Sequence, residues 1–159
     1  MSAIENIVIS MENATERRKH ITKQFESKKL SFSFFNAYTY QSINQSINQS
    51  INQSINQSNS ILHNIEESRI LTKGEKGCLI SHFLLWNKCV NENLEYLKIF
   101  EDDVILGENA EVFLNQNEWL KTRFDFNDIF IIRLETFLRP VKLEKQTKIP
   151  PFNSRNFDI

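Results

Sequence analysis

Cysteine is scarce in these 159 residues: Cys78 and Cys89 are the only two, and both fall in one predicted helix. That excludes a disulfide framework, and the two cysteines make no metal-ligand pattern. Both read as reduced core thiols of a cytoplasmic protein. An excess of one charge is missing as well. Nineteen basic residues stand against twenty acidic ones, a net charge of −1, which argues against the basic patch of a nucleic-acid-binding protein. No apolar run approaches the ~20 residues of a membrane span. The opening MSAIENIVISMEN has neither the basic start nor the small-residue cleavage site of a signal peptide. Glycine and proline number three each in an otherwise ordinary globular composition, 40% hydrophobic and 25% charged. What is abundant is phenylalanine, with 13 copies, so an aromatic core is expected.

The length suits a single domain over residues 1–159, able to bury roughly two-thirds of the surface of its unfolded chain. Residues 4–10, IENIVIS, read as a short buried strand. Asn13 with Glu16 three positions on forms a capping box, and Ile21 and Phe25 at i, i+4 give the following helix an apolar stripe. LSFSFFNAY, residues 30–38, reads as a second strand. Strand, helix, strand opens an α/β domain with a mostly parallel sheet. Thr72 and Glu75 form a second capping box. The helix it opens carries Leu79, Phe83, Trp86 and Val90 on one side, widened by Ile80 and Leu84, so that face is expected to be buried. A strand over residues 94–100, a turn at Gly107, a helix over 111–120 and a strand over 129–134 follow.

Two segments carry candidate chemistry. Glu101-Asp102-Asp103 directly follows an apolar strand, and ligands of open α/β sheets bind at the carboxyl ends of strands. In an extended segment Glu101 and Asp103 point the same way, so they could share one divalent ion of the hard, oxygen-seeking kind, Mg²⁺ or Mn²⁺. The bland alternative is a solvated acidic turn. At the start of the long helix, Glu75, Cys78 and His82 fall within about 60° of one another, with Gly77 and Ser81 on a neighbouring stripe. Gly77 inside a helix costs about 1 kcal/mol relative to alanine, which suggests close approach by another backbone or by a ligand. Glu75 alone is explained by its cap, and His82 by a hydrogen-bonded core histidine. Arg17 and Arg18 could pair with phosphates or lie on the wet face of a helix.

Taken in order, VISMENATERR, SFSFFNAY, LTKGEKGCLISHFLLW and YLKIFEDDVIL resemble the successive blocks of glycosyltransferase family 25, over about residues 4–136. These are bacterial lipopolysaccharide and lipooligosaccharide biosynthesis enzymes. The resemblance implies a GT-A-like nucleotide-sugar-binding fold, incomplete here because members usually run on past the equivalent of residue 159. It implies hexose transfer, of galactose or glucose, from a UDP-sugar to a lipid-linked oligosaccharide acceptor. It also places EDD where the family's metal-binding D-x-D motif lies, with Glu101 and Asp103 as Mn²⁺ or Mg²⁺ ligands. Arg17, Arg18, Glu75, Gly77, Ser81, His82 and Asp102 are the donor-binding candidates. Inverting transfer needs a carboxylate base for the acceptor hydroxyl, and Glu135, with Asp128 behind it, is the candidate. A lipid-linked acceptor would bring a soluble enzyme to the inner face of the cytoplasmic membrane, although no amphipathic basic helix points that way. An inactive remnant, a carboxylate–metal phosphohydrolase and an adhesive module built on the repeat remain rival readings.

That repeat, QSINQSINQSINQSINQSNS from residue 41, interrupts the domain over residues 41–59. Its period of four suits neither strand nor helix, because successive isoleucines drift by about 40° around a helix. The segment is expected to be a solvated loop. A repeated CAAT tetranucleotide translates as CAA-TCA-ATC-AAT, or Gln-Ser-Ile-Asn, so strand slippage in DNA accounts for the period. Gain or loss of one unit would shift the frame and switch expression off, a phase-variation device.

Overall fold

The computed structural model describes residues 5–39, 42, 56–115 and 131–132. The chain divides into two compact units, Met1–Gln116 and Asn117–Ile159, and the first holds every element described below. It runs β1 (Glu5–Ser10), α1 (Thr15–Ser27), β2 (Ser33–Asn36), α2 (Asn56–Glu67), α3 (Lys73–Asn91), β3 (Leu97–Glu101) and α4 (Ala110–Leu114).

The three strands form one sheet in the order β2-β1-β3, and both pairings are parallel. The expected α/β fold with a parallel sheet is therefore present, as a partial Rossmann or GT-A-like sheet. β1 is central, and its β-branched run is buried on both faces, as a strand of a parallel sheet requires. On one face Val8, aligned with Phe34 and Phe100, packs with Ile21 and Phe25 of α1, Leu30 and Leu114. On the other, Ile7 and Ile9 pack with Leu85 of α3, beside Phe35, Leu97 and Ile99. The abundance of phenylalanine is resolved on the first face. Phe25 stacks obliquely on Phe32 at 4.6 Å and meets Phe100 edge-on at 5.4 Å.

Element ends show where local pattern and tertiary packing part company. The capping box at Thr72 forms in both halves: Thr72 Oγ1 accepts from the Glu75 amide at 3.3 Å, and the Glu75 carboxylate accepts from the Thr72 amide at 2.8 Å. The box expected at Asn13 does not form. The Ala14 amide closes a turn onto the Met11 carbonyl, Glu16 pairs with Lys19, and α1 starts at Thr15 with no side-chain cap. β2 is shorter than the predicted strand. Lys29, at φ 54°, turns the chain so that Leu30 enters the core before the strand begins. β3 runs one residue further than expected because Glu101 pairs with Ile9.

Most of the repeat lies outside the described residues, but its last residues open α2, so the loop expected over 41–59 ends in helix. Leu62 and Ile65 pack α2 on Ile80 and Leu84 of α3, and that apolar contact extends the helix back into sequence of poor intrinsic propensity. The helix predicted over 111–120 is seen as Ala110–Leu114. Of the strand predicted over 129–134, Ile131 and Ile132 are described, without strand structure, and the rest lies outside the described residues.

The buried face of α3 also differs from expectation. Lys76, Gly77, Ile80, Ser81 and Leu85 are buried, whereas Trp86 is 40% and Val90 73% exposed. Hydrophobicity alone ranks the apolar stripe first. The helix instead turns its small residues inward, since only they allow the chain after β2 to lie against it.

Candidate functional site

β1 and β3 end side by side at the carboxyl edge of the sheet, and the three carboxylates begin there. Side chains alternate across a strand, so Glu101, the last residue of β3, faces α3. The backbone then turns, with the Val104 amide donating to the Glu101 carbonyl at 3.1 Å. Asp102 consequently falls on the α1 side, and Asp103 is exposed in the turn. The extended geometry expected of Glu101-Asp102-Asp103 thus stops at Glu101. No alternation aligns Glu101 with Asp103, because a hydrogen-bonded turn replaces the strand.

Asp102 is buried, 7% exposed. One carboxylate oxygen accepts from the Ser10 hydroxyl at 2.7 Å, and the other accepts from Arg17 Nη1 at 2.9 Å. Charge-assisted bonds of this kind are the strong ones, and these two lock the turn to β1 and α1. Arg17 remains 59% exposed, so its guanidinium is reachable from solvent. Arg18 is more deeply engaged. It donates to the carbonyls of Ser10 and Met11 and to Asn36 Oδ1, and lies 4.7 Å from the Phe34 ring centre. It ties the ends of β1 and β2 together.

On α3 the two predicted stripes separate cleanly. Gly77 and Ser81 face Tyr38, two residues beyond β2. A Cβ on Gly77 would collide with the Tyr38 carbonyl oxygen. The Ser81 hydroxyl accepts from the Tyr38 amide at 2.9 Å and donates to the Gly77 carbonyl at 2.8 Å. The close approach inferred from Gly77 is thus made by backbone. Glu75 is exposed and held by Thr72, whose amide and then hydroxyl keep its carboxyl below the usual range.

The other stripe meets β3. His82 Nε2 lies 3.3 Å from Glu101 Oε1, and the Cys78 thiol donates to the same oxygen at 3.6 Å. Burial, then the Glu101 charge, then that hydrogen bond push the Cys78 thiol up, so it stays protonated. Cys78 is exposed and is not the core thiol expected from sequence. Ser10 is the site residue that sequence reasoning missed, and Cys78 has a place on the predicted helix stripe without a role. A small hydroxyl closing an apolar strand at the carboxyl edge was the available signal for Ser10. Cys78 lay on the stripe of Glu75 and His82, but nothing local connects that stripe with Glu101. Glu135 and Asp128 lie outside the described residues.

A parallel sheet with helices packed on both faces and engaged carboxylates at its carboxyl edge defines an α/β domain whose candidate site lies where ligands of such sheets bind. The particular family follows from comparison. The model described as "Glycosyltransferase family 25 (LPS biosynthesis protein)" matches residues 3–159, and the chain belongs to that family. It is 92% identical over 171 residues to "Lipooligosaccharide biosynthesis protein lex-1" of Haemophilus influenzae, covering 100% of this chain and 57% of the relative. It is 43% identical to "Lipooligosaccharide biosynthesis protein lic2B" of Haemophilus influenzae, over 94% of this chain and 52% of the relative. With "Lacto-N-neotetraose biosynthesis glycosyltransferase LgtE" of Neisseria meningitidis it shares 34% identity, over 98% of this chain and 52% of the relative. The chain spans about half the length of these curated relatives. Among the described residues no helix is long and apolar enough to cross a membrane.

Proposed function

We propose that this chain forms the donor-binding part of a glycosyltransferase that moves a hexose, galactose or glucose, from a UDP-sugar to a lipooligosaccharide or lipopolysaccharide acceptor. The observation that carries the reading is the acidic turn at the carboxyl end of β3, beside the central strand, in a chain of family 25. Ser10 and Arg17 engage Asp102, while Glu101 and Asp103 stay exposed. Glu101 and Asp103 each offer an exposed carboxylate of the kind Mg²⁺ or Mn²⁺ takes, and sharing one ion requires the two side chains to converge across the turn that separates them. When bound, such an ion neutralises charge on the UDP leaving group. Arg17 presents its guanidinium to the donor phosphates from the same edge, and Asp102 fixes its direction. Arg18, Gly77 and Ser81 support this edge by holding β1, β2 and α3 in place, and Glu75 sets the start of α3. His82 borders the donor through Glu101. Glu135, with Asp128 behind it, remains the proposed base for the acceptor hydroxyl. The acceptor is lipid-linked, which brings the enzyme to the inner face of the cytoplasmic membrane.

Glu101→Ala and Asp103→Ala are each expected to lower Mn²⁺-supported UDP-sugar hydrolysis or transfer by about a hundredfold, the scale of losing one electrostatic contact to the developing charge. Activity indifferent to both substitutions and to a chelator would overturn the metal-assisted reading. Release of inorganic phosphate without sugar transfer would favour a phosphohydrolase.

The repeat supports phase-variable expression. The match to lex-1 runs over 171 residues and this chain has 159, leaving 171 − 159 = 12 positions, the length of three four-residue units. Those twelve are read as additional QSIN copies, and the coding DNA for residues 41–58 is expected to be an unbroken CAAT run. Synonymous codons scattered through the tract would refute slippage.

A further inference from the structure

Cys78, His82 and Glu101 offer one sulfur, one nitrogen and one oxygen, all within 4.8 Å of one another. We propose that they form a binding site for a zinc-class ion, Zn²⁺ or Co²⁺, that joins α3 to the end of β3. It shares Glu101 with the carboxylate pair of the transfer reading but not Asp103, and its sulfur and nitrogen ligands do not rest on that reading.

The argument begins with spacing. Cys78 and His82 lie four residues apart on a helix and therefore project from one face, one turn apart. The β1–β3 register delivers Glu101 to that face, since Glu101 aligns with Ile9 and the residues sharing its side of the sheet pack against α3. Distances decide whether the three can close on one ion. Around a tetrahedral centre with bonds of ~2.0–2.3 Å, ligand atoms stand about 3.3–3.8 Å apart. The oxygen–nitrogen separation is 3.3 Å and the oxygen–sulfur separation 3.6 Å. The sulfur–nitrogen separation lies within 4.8 Å, and side-chain rotation is what would draw that pair onto the ion.

Ligand chemistry then selects the ion. A thiolate with an imidazole suits zinc or cobalt far better than magnesium or manganese, which prefer oxygen. Thiolate and carboxylate together cancel a dipositive charge. On binding, the Cys78 S–H bond breaks, its proton leaves to solvent, and the sulfur electron pair goes to the metal. Three protein ligands leave a fourth position open, the arrangement of metal sites that accept a water or an external ligand. Glu101 is 56% and His82 25% exposed, so the ion can enter from solvent.

The test is a cobalt titration of the full chain without nucleotide, followed by absorption spectroscopy. One Co²⁺ per chain is expected, with a thiolate-to-cobalt charge-transfer band in the near ultraviolet and intense four-coordinate visible bands. Stoichiometric Zn²⁺ should displace the cobalt, and a large excess of Mg²⁺ should not. Cys78→Ser should abolish the charge-transfer band, Cys89→Ser should retain it, and His82→Ala should weaken binding at least tenfold. Asp103→Ala, which removes a carboxylate of the transfer reading, should leave the band in place. Circular dichroism confirms that each variant is folded. A band that survives Cys78→Ser, disappears in folded Cys89→Ser or Asp103→Ala, or never develops overturns the site.

Discussion

Alanine at Gly77 is expected to destabilise the protein by about 1–3 kcal/mol, while alanine at Gly74, in the first turn of the same helix, is expected to be neutral or to stabilise by up to ~1 kcal/mol. Both substitutions gain the same helix propensity, so the difference isolates tertiary contact. A Cβ at Gly74 meets nothing within 4 Å. At Gly77 it meets the Tyr38 carbonyl, with the Tyr38 carbonyl carbon 3.5 Å and Thr39 Cα 3.7 Å away. All three are backbone atoms, which cannot rotate aside as a side-chain terminus would. Relief requires α3 and the Tyr38 segment to separate, and that stretches the part-buried hydrogen bond from the Tyr38 amide to Ser81. Overpacking costs ~1–3 kcal/mol, and weakening the part-buried amide bond adds about 1 kcal/mol, against ~1 kcal/mol gained in propensity. Urea denaturation of both variants measures the contrast. Equal midpoints would show that Tyr38 does not press on the helix.

Truncating Phe25 to alanine is expected to cost about 3–5 kcal/mol, a large share of the ~5–15 kcal/mol that holds a domain of this size. Phe25 is fully buried, and its ring is the common neighbour of Phe32 and Phe100. Its removal opens a cavity where α1 meets the sheet and breaks two aromatic contacts at once. Phe25→Leu, which keeps most of the volume, should cost less than half as much. The readout is the denaturation midpoint at unchanged slope. A loss below ~1 kcal/mol in Phe25→Ala would mean that the cluster repacks and that α1 is not seated by this ring.

Several parts of this architecture are legible because their causes are local. The run IENIVIS can satisfy its burial only as a strand. Ile21 and Phe25, one turn apart, mark the inner face of α1, and both are fully buried. Thr72 and Glu75 close their own cap within three residues. Asn13 and Glu16 show the same pattern and fail, because the turn from Met11 to Ala14 sets the helix start before the cap can form. The inner face of α3 was misread for a related reason. Hydrophobicity ranks Trp86 and Val90 above Gly77 and Ser81, yet backbone can approach a helix only over small residues.

Sequence alone determined the alternation of strands and helices, the acidic triplet after an apolar strand and the family whose ordered blocks the chain carries. Tertiary structure decided how the three carboxylates divide. Glu101 goes to α3 and its Cys78–His82 pair, Asp102 to Ser10 and Arg17, and Asp103 to solvent. The reason is physical. Periodicity places each side chain on a face of its own element, but which faces meet depends on the β1–β3 register and on where a helix packs. Those contacts join Asp102 to Ser10, 92 residues away, and Glu101 to Cys78, 23 residues away, separations over which no local pattern carries information.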